Sequence, residues 1–75
     1  MRTALDLAKD EQALVAGFSD NAIAPMLLDL GCRPGQSIRL IRRALFNGPL
    51  CLEIENRLLA FRQEEARTIL LTDPR

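Results

Sequence analysis

A chain of 75 residues, 48% hydrophobic and 27% charged, has enough apolar material to fold but only enough for one small core, which excludes a disordered polypeptide and a multidomain one. Its 10 basic residues balance 10 acidic ones, so there is no net field to hold a polyanion and nucleic acid is not the expected partner. Histidine is absent, which removes the commonest general base and the commonest transition-metal ligand.

The opening "MRTALDLAKDEQ" turns charged too soon for the apolar middle of a signal peptide. The apolar stretch from Ala22 to Leu28 is interrupted by Pro25 and falls well short of the ~20 residues that span a bilayer. A cytoplasmic domain, not inserted in a membrane, is expected, with Cys32 and Cys51 reduced. So small a core has a thin stability margin, and self-association into a homo-oligomer is left open.

Gln12 to Phe18, "QALVAGF", is a short apolar run bounded by charge and by "SDN", which predicts a buried strand, with Gly17 marking a bulge or bend. Ser19, Asp20 and Asn21 can each accept N–H groups at a helix start, and Ile23, Met26, Leu27 and Leu30 follow at helical spacing. Pro25 is tolerated only in a first turn, so the regular helix is predicted from Pro25 to Leu30 with a looser lead-in.

Gly31 then stands where a left-handed residue closes a helix, and Pro34-Gly35 fits the central positions of a type II turn. From Ser37 to Ala44, Ile38 and Leu40 alternate with Arg39, Ile41 and Arg43, a strand with one covered face, and Arg42 breaks the alternation as a bulge would. "FNGP", with Gly48 and Pro49, is a turn.

Leu50 to Glu55 alternates strictly, with Leu50, Leu52 and Ile54 inward and Cys51, Glu53 and Glu55 outward. Asn56-Arg57 is the expected hairpin link to a strand from Leu58 to Arg62, since asparagine tolerates a left-handed backbone. "RQEEARTILL" has early glutamates and Ala66, Ile69 and Leu70 at helical spacing, which predicts a short C-terminal helix, and "TDPR" reads as a frayed end. Strand, short helix, three strands in a meander and short helix make a mainly β fold, most simply closed as a small barrel with Gly17, Gly31, Gly35 and Gly48 at its bends.

These residues resemble the ferrous iron transport protein A (FeoA) family. Leu27-Leu28-Asp29-Leu30-Gly31 followed by Pro34-Gly35 is similar to that family's leucine-rich helix and "LGxxPG" turn, and "FNGP", "LLAFR" and "RQEEA" follow in the expected order, so the likeness runs from about Leu5 to Leu71. The chain departs from the family pattern at Ala22-Ile23-Ala24-Pro25, where basic residues are common, and at Asn56, where glycine is common. The resemblance implies an SH3-like barrel, no catalysis, and an accessory role in bacterial ferrous iron uptake beside FeoB, a membrane GTPase-permease. Related domains end metal-dependent repressors of the diphtheria-toxin-repressor type, so a metal-sensing domain is the alternative.

Residue by residue, the chemistry is sparse. Cys51, Glu53 and Glu55 share one strand face and are the weak alternative to having no metal site, but ligands strung along a strand rarely converge, and water suits such charges better. Cys32 follows a helix C-terminus, where the dipole opposes a thiolate, so packing is the expected role. No G-x-x-x-x-G-K-[ST] loop is present and the glycines follow a helix instead of leading into one, so nucleotide chemistry belongs to a partner and no cofactor is expected.

With no Trp or Tyr and only 3 Phe, a groove for proline-rich peptides is not expected. The candidate docking residues are an apolar cleft by the first helix, Met26, Leu27, Leu30 and Phe46, each of which could equally be core. Beside them stands the basic group Arg39, Arg42 and Arg43, which could equally pair with Glu53 and Glu55 across the sheet.

Overall fold

A computed structural model describes residues 1–73 of the chain. It contains the strands β1 (Gln12–Phe18), β2 (Ser37–Arg43), β3 (Leu50–Ile54), β4 (Arg57–Phe61) and β5 (Ile69–Thr72), with helices α1 (Ala24–Asp29) and α2 (Gln63–Ala66). All strands belong to one antiparallel sheet in the order β4-β3-β2-β1-β5, bent into an SH3-like barrel.

The alternation read from the sequence is what fills the barrel. Leu50, Leu52 and Ile54 of β3 and Ile38 and Leu40 of β2 are buried, and with Val15, Phe61, Ile69, Leu27 and Leu7 they form one cluster. Full burial of each large side chain contributes about 1.5–3 kcal/mol, so this cluster is the main source of stability. Bulges produce the bending: β1 steps from Val15↔Leu71 to Gly17↔Leu70, leaving Ala16 extra, and β2 steps from Leu40↔Leu52 to Arg42↔Cys51, leaving Ile41 extra.

The helix stop forms as the sequence predicts. Gly31 has φ +95°, its N–H donates to the Leu28 carbonyl at 3.0 Å, and the Cys32 N–H donates to the Leu27 carbonyl at 2.9 Å, the paired bonds of a Schellman motif. Gly35 has φ +92° and the Gln36 N–H closes the turn on the Arg33 carbonyl at 3.3 Å, as a type II turn requires. The looser lead-in to α1 is a turn in which the Asp20 carboxylate accepts the Ala22 N–H at 2.8 Å.

Some expectations need correction. The C-terminal helix is a single turn, because Ile69 and Leu71 have a better position than a helix offers: pairing with the free edge of β1 buries both. Of the expected frayed end, Thr72 closes β5, and Pro74 and Arg75 lie outside the described residues. The second hairpin turns at Glu55-Asn56, with φ 51° and 68°, one residue earlier than expected, since the strictly paired Ile54 and Arg57 leave only those two residues to turn. Gly17 has open space where a side chain would go, whereas Gly48 is required by close approach, its added Cβ meeting that of Ala44 at 2.8 Å.

The N-terminus holds an element with no sequence expectation, a 3-10 turn at Ala4–Asp6. The Asp6 carboxylate accepts the Thr3 N–H at 2.9 Å and the Thr3 hydroxyl accepts the Leu5 N–H at 3.3 Å, a capping box that seats Ala4 and Leu7 in the core.

Candidate functional site

Between α1, the end of β4 and the start of α2 lies a groove of ≈ 550 Å³, lined by Met26, Leu30, Pro49, Ala60, Phe61, Arg62 and Glu65. Its walls are set by local rules. The Schellman stop ends α1 with Met26 and Leu30 each 40–41% exposed on the groove side, while Leu27, one position along, is turned into the core at 0%. Glu65 accepts the Arg62 N–H at 2.8 Å, which starts α2 immediately after β4 and forms the groove's polar end. On the outer face of the sheet a second, smaller depression of ≈ 210 Å³ shares Pro49 and Ala60 and adds Arg42, Ala44, Leu50 and Cys51.

The structure brings only part of the sequence-derived set together. Met26 and Leu30 share the groove, and Arg42 stands at the outer depression. Leu27 is a correction, being core on the first helix's inward stripe. Phe46 is 97% exposed at the tip of the β2–β3 turn and does not line the groove.

The basic group is dispersed by its partners. Arg39 lies across the sheet from Glu53 and its guanidinium bonds that carboxylate at 2.9 Å. Arg43 donates to the carbonyls of Leu5 and Leu7 at 2.6 and 2.7 Å, fastening the N-terminal turn, which leaves its charge committed to the fold.

The groove also takes residues that were not among the docking candidates: Pro49, expected only as a turn residue, and Ala60, Phe61, Arg62 and Glu65. Leu58-Leu59-Ala60-Phe61 is an unbroken apolar run, in which no alternation separates the exposed side from the buried one. A strand that reads this way looks like core, and only its place in the sheet shows otherwise.

The metal alternative does not assemble. Glu53 is engaged by Arg39, Glu55 sits in the hairpin turn with its carboxylate accepting the Ser37 N–H at 3.0 Å, and among the described residues no three of the Cys, Asp and Glu side chains form a metal-holding group. Burial pushes the Cys32 thiol up to about 11, so it stays protonated and unreactive at neutral pH. "LGCRPG" therefore has no nucleophile, and its backbone groups are spent on turns and on β1, where the Gly35 N–H meets the Val15 carbonyl at 2.7 Å.

A family model described as the FeoA domain matches residues 3–73. Among solved structures, the chain is similar to the FeoA protein of Chlorobium tepidum, with a TM-score of 0.86 and 24% identity over 99% of this chain and 71% of that one. It is also similar to Stenotrophomonas maltophilia FeoA complexed with zinc, described as a prokaryotic SH3 domain protein, with a TM-score of 0.81 and 23% identity over 96% of this chain and 91% of that one. A manganese-dependent transcriptional repressor has a TM-score of 0.84 at 16% identity, over 96% of this chain and 41% of the repressor. At these identities the solved structures speak for the fold. No curated protein matches the sequence.

Proposed function

The chain belongs to the FeoA domain family, and we propose that it is a non-catalytic docking module of ferrous iron uptake, which binds the cytoplasmic region of the membrane GTPase-permease FeoB and modulates its transport or GTP cycle. The groove walled by Met26, Leu30, Ala60 and Phe61 is the observation that carries the docking reading, because it is an apolar concavity of ≈ 550 Å³ that the core does not fill. A standard interface takes about 800 Å² from each partner. The molecule exposes 4706 Å², so one face can supply that area.

Catalysis has no support in the chemistry: histidine is absent, and Cys32 is buried with a raised pKa. No helix among the described residues is long and apolar enough to cross a membrane. A cytoplasmic location, with the partner's transmembrane part supplying the pore, belongs to the same proposal.

The test is a titration of the protein with the permease's full cytoplasmic region, nucleotide-free and nucleotide-loaded. Saturable binding weakened by Met26→Ala and Leu30→Ala is expected, and absence of binding in both nucleotide states refutes the proposal.

The repressor's similar fold supports a second reading, a domain that responds to a divalent transition metal. Calorimetry with ferrous or manganous ion would then show saturable heat. A flat titration rejects it.

A further inference from the structure

An open sheet has two edges, and here they are treated differently. The outer edge of β5 is covered by the N-terminal segment: Thr3 bridges Leu70, and the Leu71 N–H donates to the Arg2 carbonyl at 2.9 Å. Among the described residues, β4 has no such cover. The two-residue loop Glu55-Asn56 makes Ile54 and Arg57 a hydrogen-bonded pair, so Arg57, Leu59 and Phe61 bond to β3. The N–H and C=O groups of Leu58 and Ala60 consequently point away from the sheet, and among the described residues none of these four takes a backbone partner outside the ladder.

Proteins usually blunt such an edge with charge, a proline or a bulge. β4 has its one charge at its first residue, Arg57, and beyond it no proline and no bulge: its register with β3 runs unbroken from Arg57 to Phe61, and Leu58 stands 62% exposed. The groove opens at the C-terminal end of this edge, where Ala60 and Phe61 line it opposite Met26 and Leu30. Arg57 and Arg62 bracket the strand, and neither makes an ion pair among the described residues, although the Arg57 guanidinium also donates to the Leu30 carbonyl at 3.0 Å.

We propose that β4 accepts an added strand from the partner protein, an extended segment with apolar residues at alternate positions and carboxylates at both ends. Backbone bonds to Leu58 and Ala60 would provide the register, alternate apolar side chains would enter the groove against Met26 and Leu30, and the end carboxylates would meet Arg57 and Arg62. A second copy of this chain fits less well, because antiparallel β4–β4 pairing gathers both arginines of each copy at one seam and no acid lies within either strand. The inference deepens the docking reading and depends on it only for the identity of the partner.

The probe is a short synthetic peptide of alternating valine and threonine with aspartates at both ends, titrated into the 15N-labelled full chain, with a lysine-ended peptide as control. Binding should slow exchange of the Leu58 and Ala60 amides, and both the lysine ends and Leu58→Pro should weaken it by about tenfold or more. Proline is sterically acceptable at an outward-facing N–H of an edge strand, and retention of the parent's other amide shifts would show that the variant folds.

Unchanged Leu58 and Ala60 amides, equal affinity for both peptides, or undiminished binding by folded Leu58→Pro overturns the edge proposal. So does a dimer of the free protein, by sedimentation, that protects those two amides. The permease cytoplasmic region is tested in parallel: if it binds folded Leu58→Pro as tightly as the parent, the edge fails and the docking module stands. If it does not bind while the acidic peptide does, the edge stands and the permease reading fails.

Discussion

Gly31→Ala tests the corner that ends α1, because two separable costs meet there. The first is backbone: at φ +95° an L-residue pays roughly 1–2 kcal/mol that glycine does not. The second is steric: a Cβ at this position would collide with Nη2 of Arg57 and lie 2.9 Å from its Cζ. A guanidinium can swing away, so this contact need not disrupt the fold, but moving it breaks the Arg57 bond to the Leu30 carbonyl, worth about 1 kcal/mol at a solvated site. Together the two effects predict about 2–3 kcal/mol, a fall in Tm on the order of 10–20 °C for a domain of this size. Urea unfolding of Gly31→Ala, Arg57→Ala and the double variant separates the parts. With Arg57 already truncated, Gly31→Ala should cost only its backbone share, leaving a coupling of about 1 kcal/mol. An equal cost in both backgrounds would refute the steric part, and a cost below about 0.5 kcal/mol would refute the helix-stop argument itself.

On α1, Leu27→Ala should destabilise by about 2–5 kcal/mol because the side chain is fully buried, whereas Met26→Ala should leave the melting temperature nearly unchanged and act only on binding. Near-equal melting temperatures for the two variants would show that the helix faces are misassigned. In the native protein Cys32, with its thiol raised to about 11, should resist a thiol reagent at pH 8 that labels the half-buried Cys51, and become labelled once urea unfolds the chain. Glu11 has its pKa lowered, first by accepting the Ala8 N–H and then by Arg2, so it contributes stability above its ordinary value of 4.5 that is lost as pH falls through the lower folded-state value. Glu11→Gln should therefore flatten the acid side of the stability profile, and an unchanged acid limb would show that Glu11 is not linked to folding.

Much of the fold is legible in the chain because its signals are local. Gly31 and Pro34-Gly35 act on their own φ angles and nearest hydrogen bonds, and the alternation in Leu50 to Ile54 needs only one covered face to become a buried stripe. The site is harder to read. Met26 and Leu27 are adjacent and equally apolar, and helical spacing alone does not say which faces the barrel. Arg39, Arg42 and Arg43 read as one basic cluster until Glu53 and the carbonyls of Leu5 and Leu7 divide them.

The residue order by itself determined where the backbone stops, turns and alternates, since those choices are made within a few bonds of the residues concerned. Strand partnership was decided only in three dimensions. Ile69 to Thr72 suits a helix or a strand, and the free edge of β1 selects the strand by burying Ile69 and Leu71. Leu58 to Phe61 reads as core, yet as the last strand of the sheet it leaves Leu58 and Ala60 exposed along an unpaired edge. Exposure of a strand is a property of its neighbours, which lie far away along the chain, and so the open edge of β4 was the part the sequence could not show.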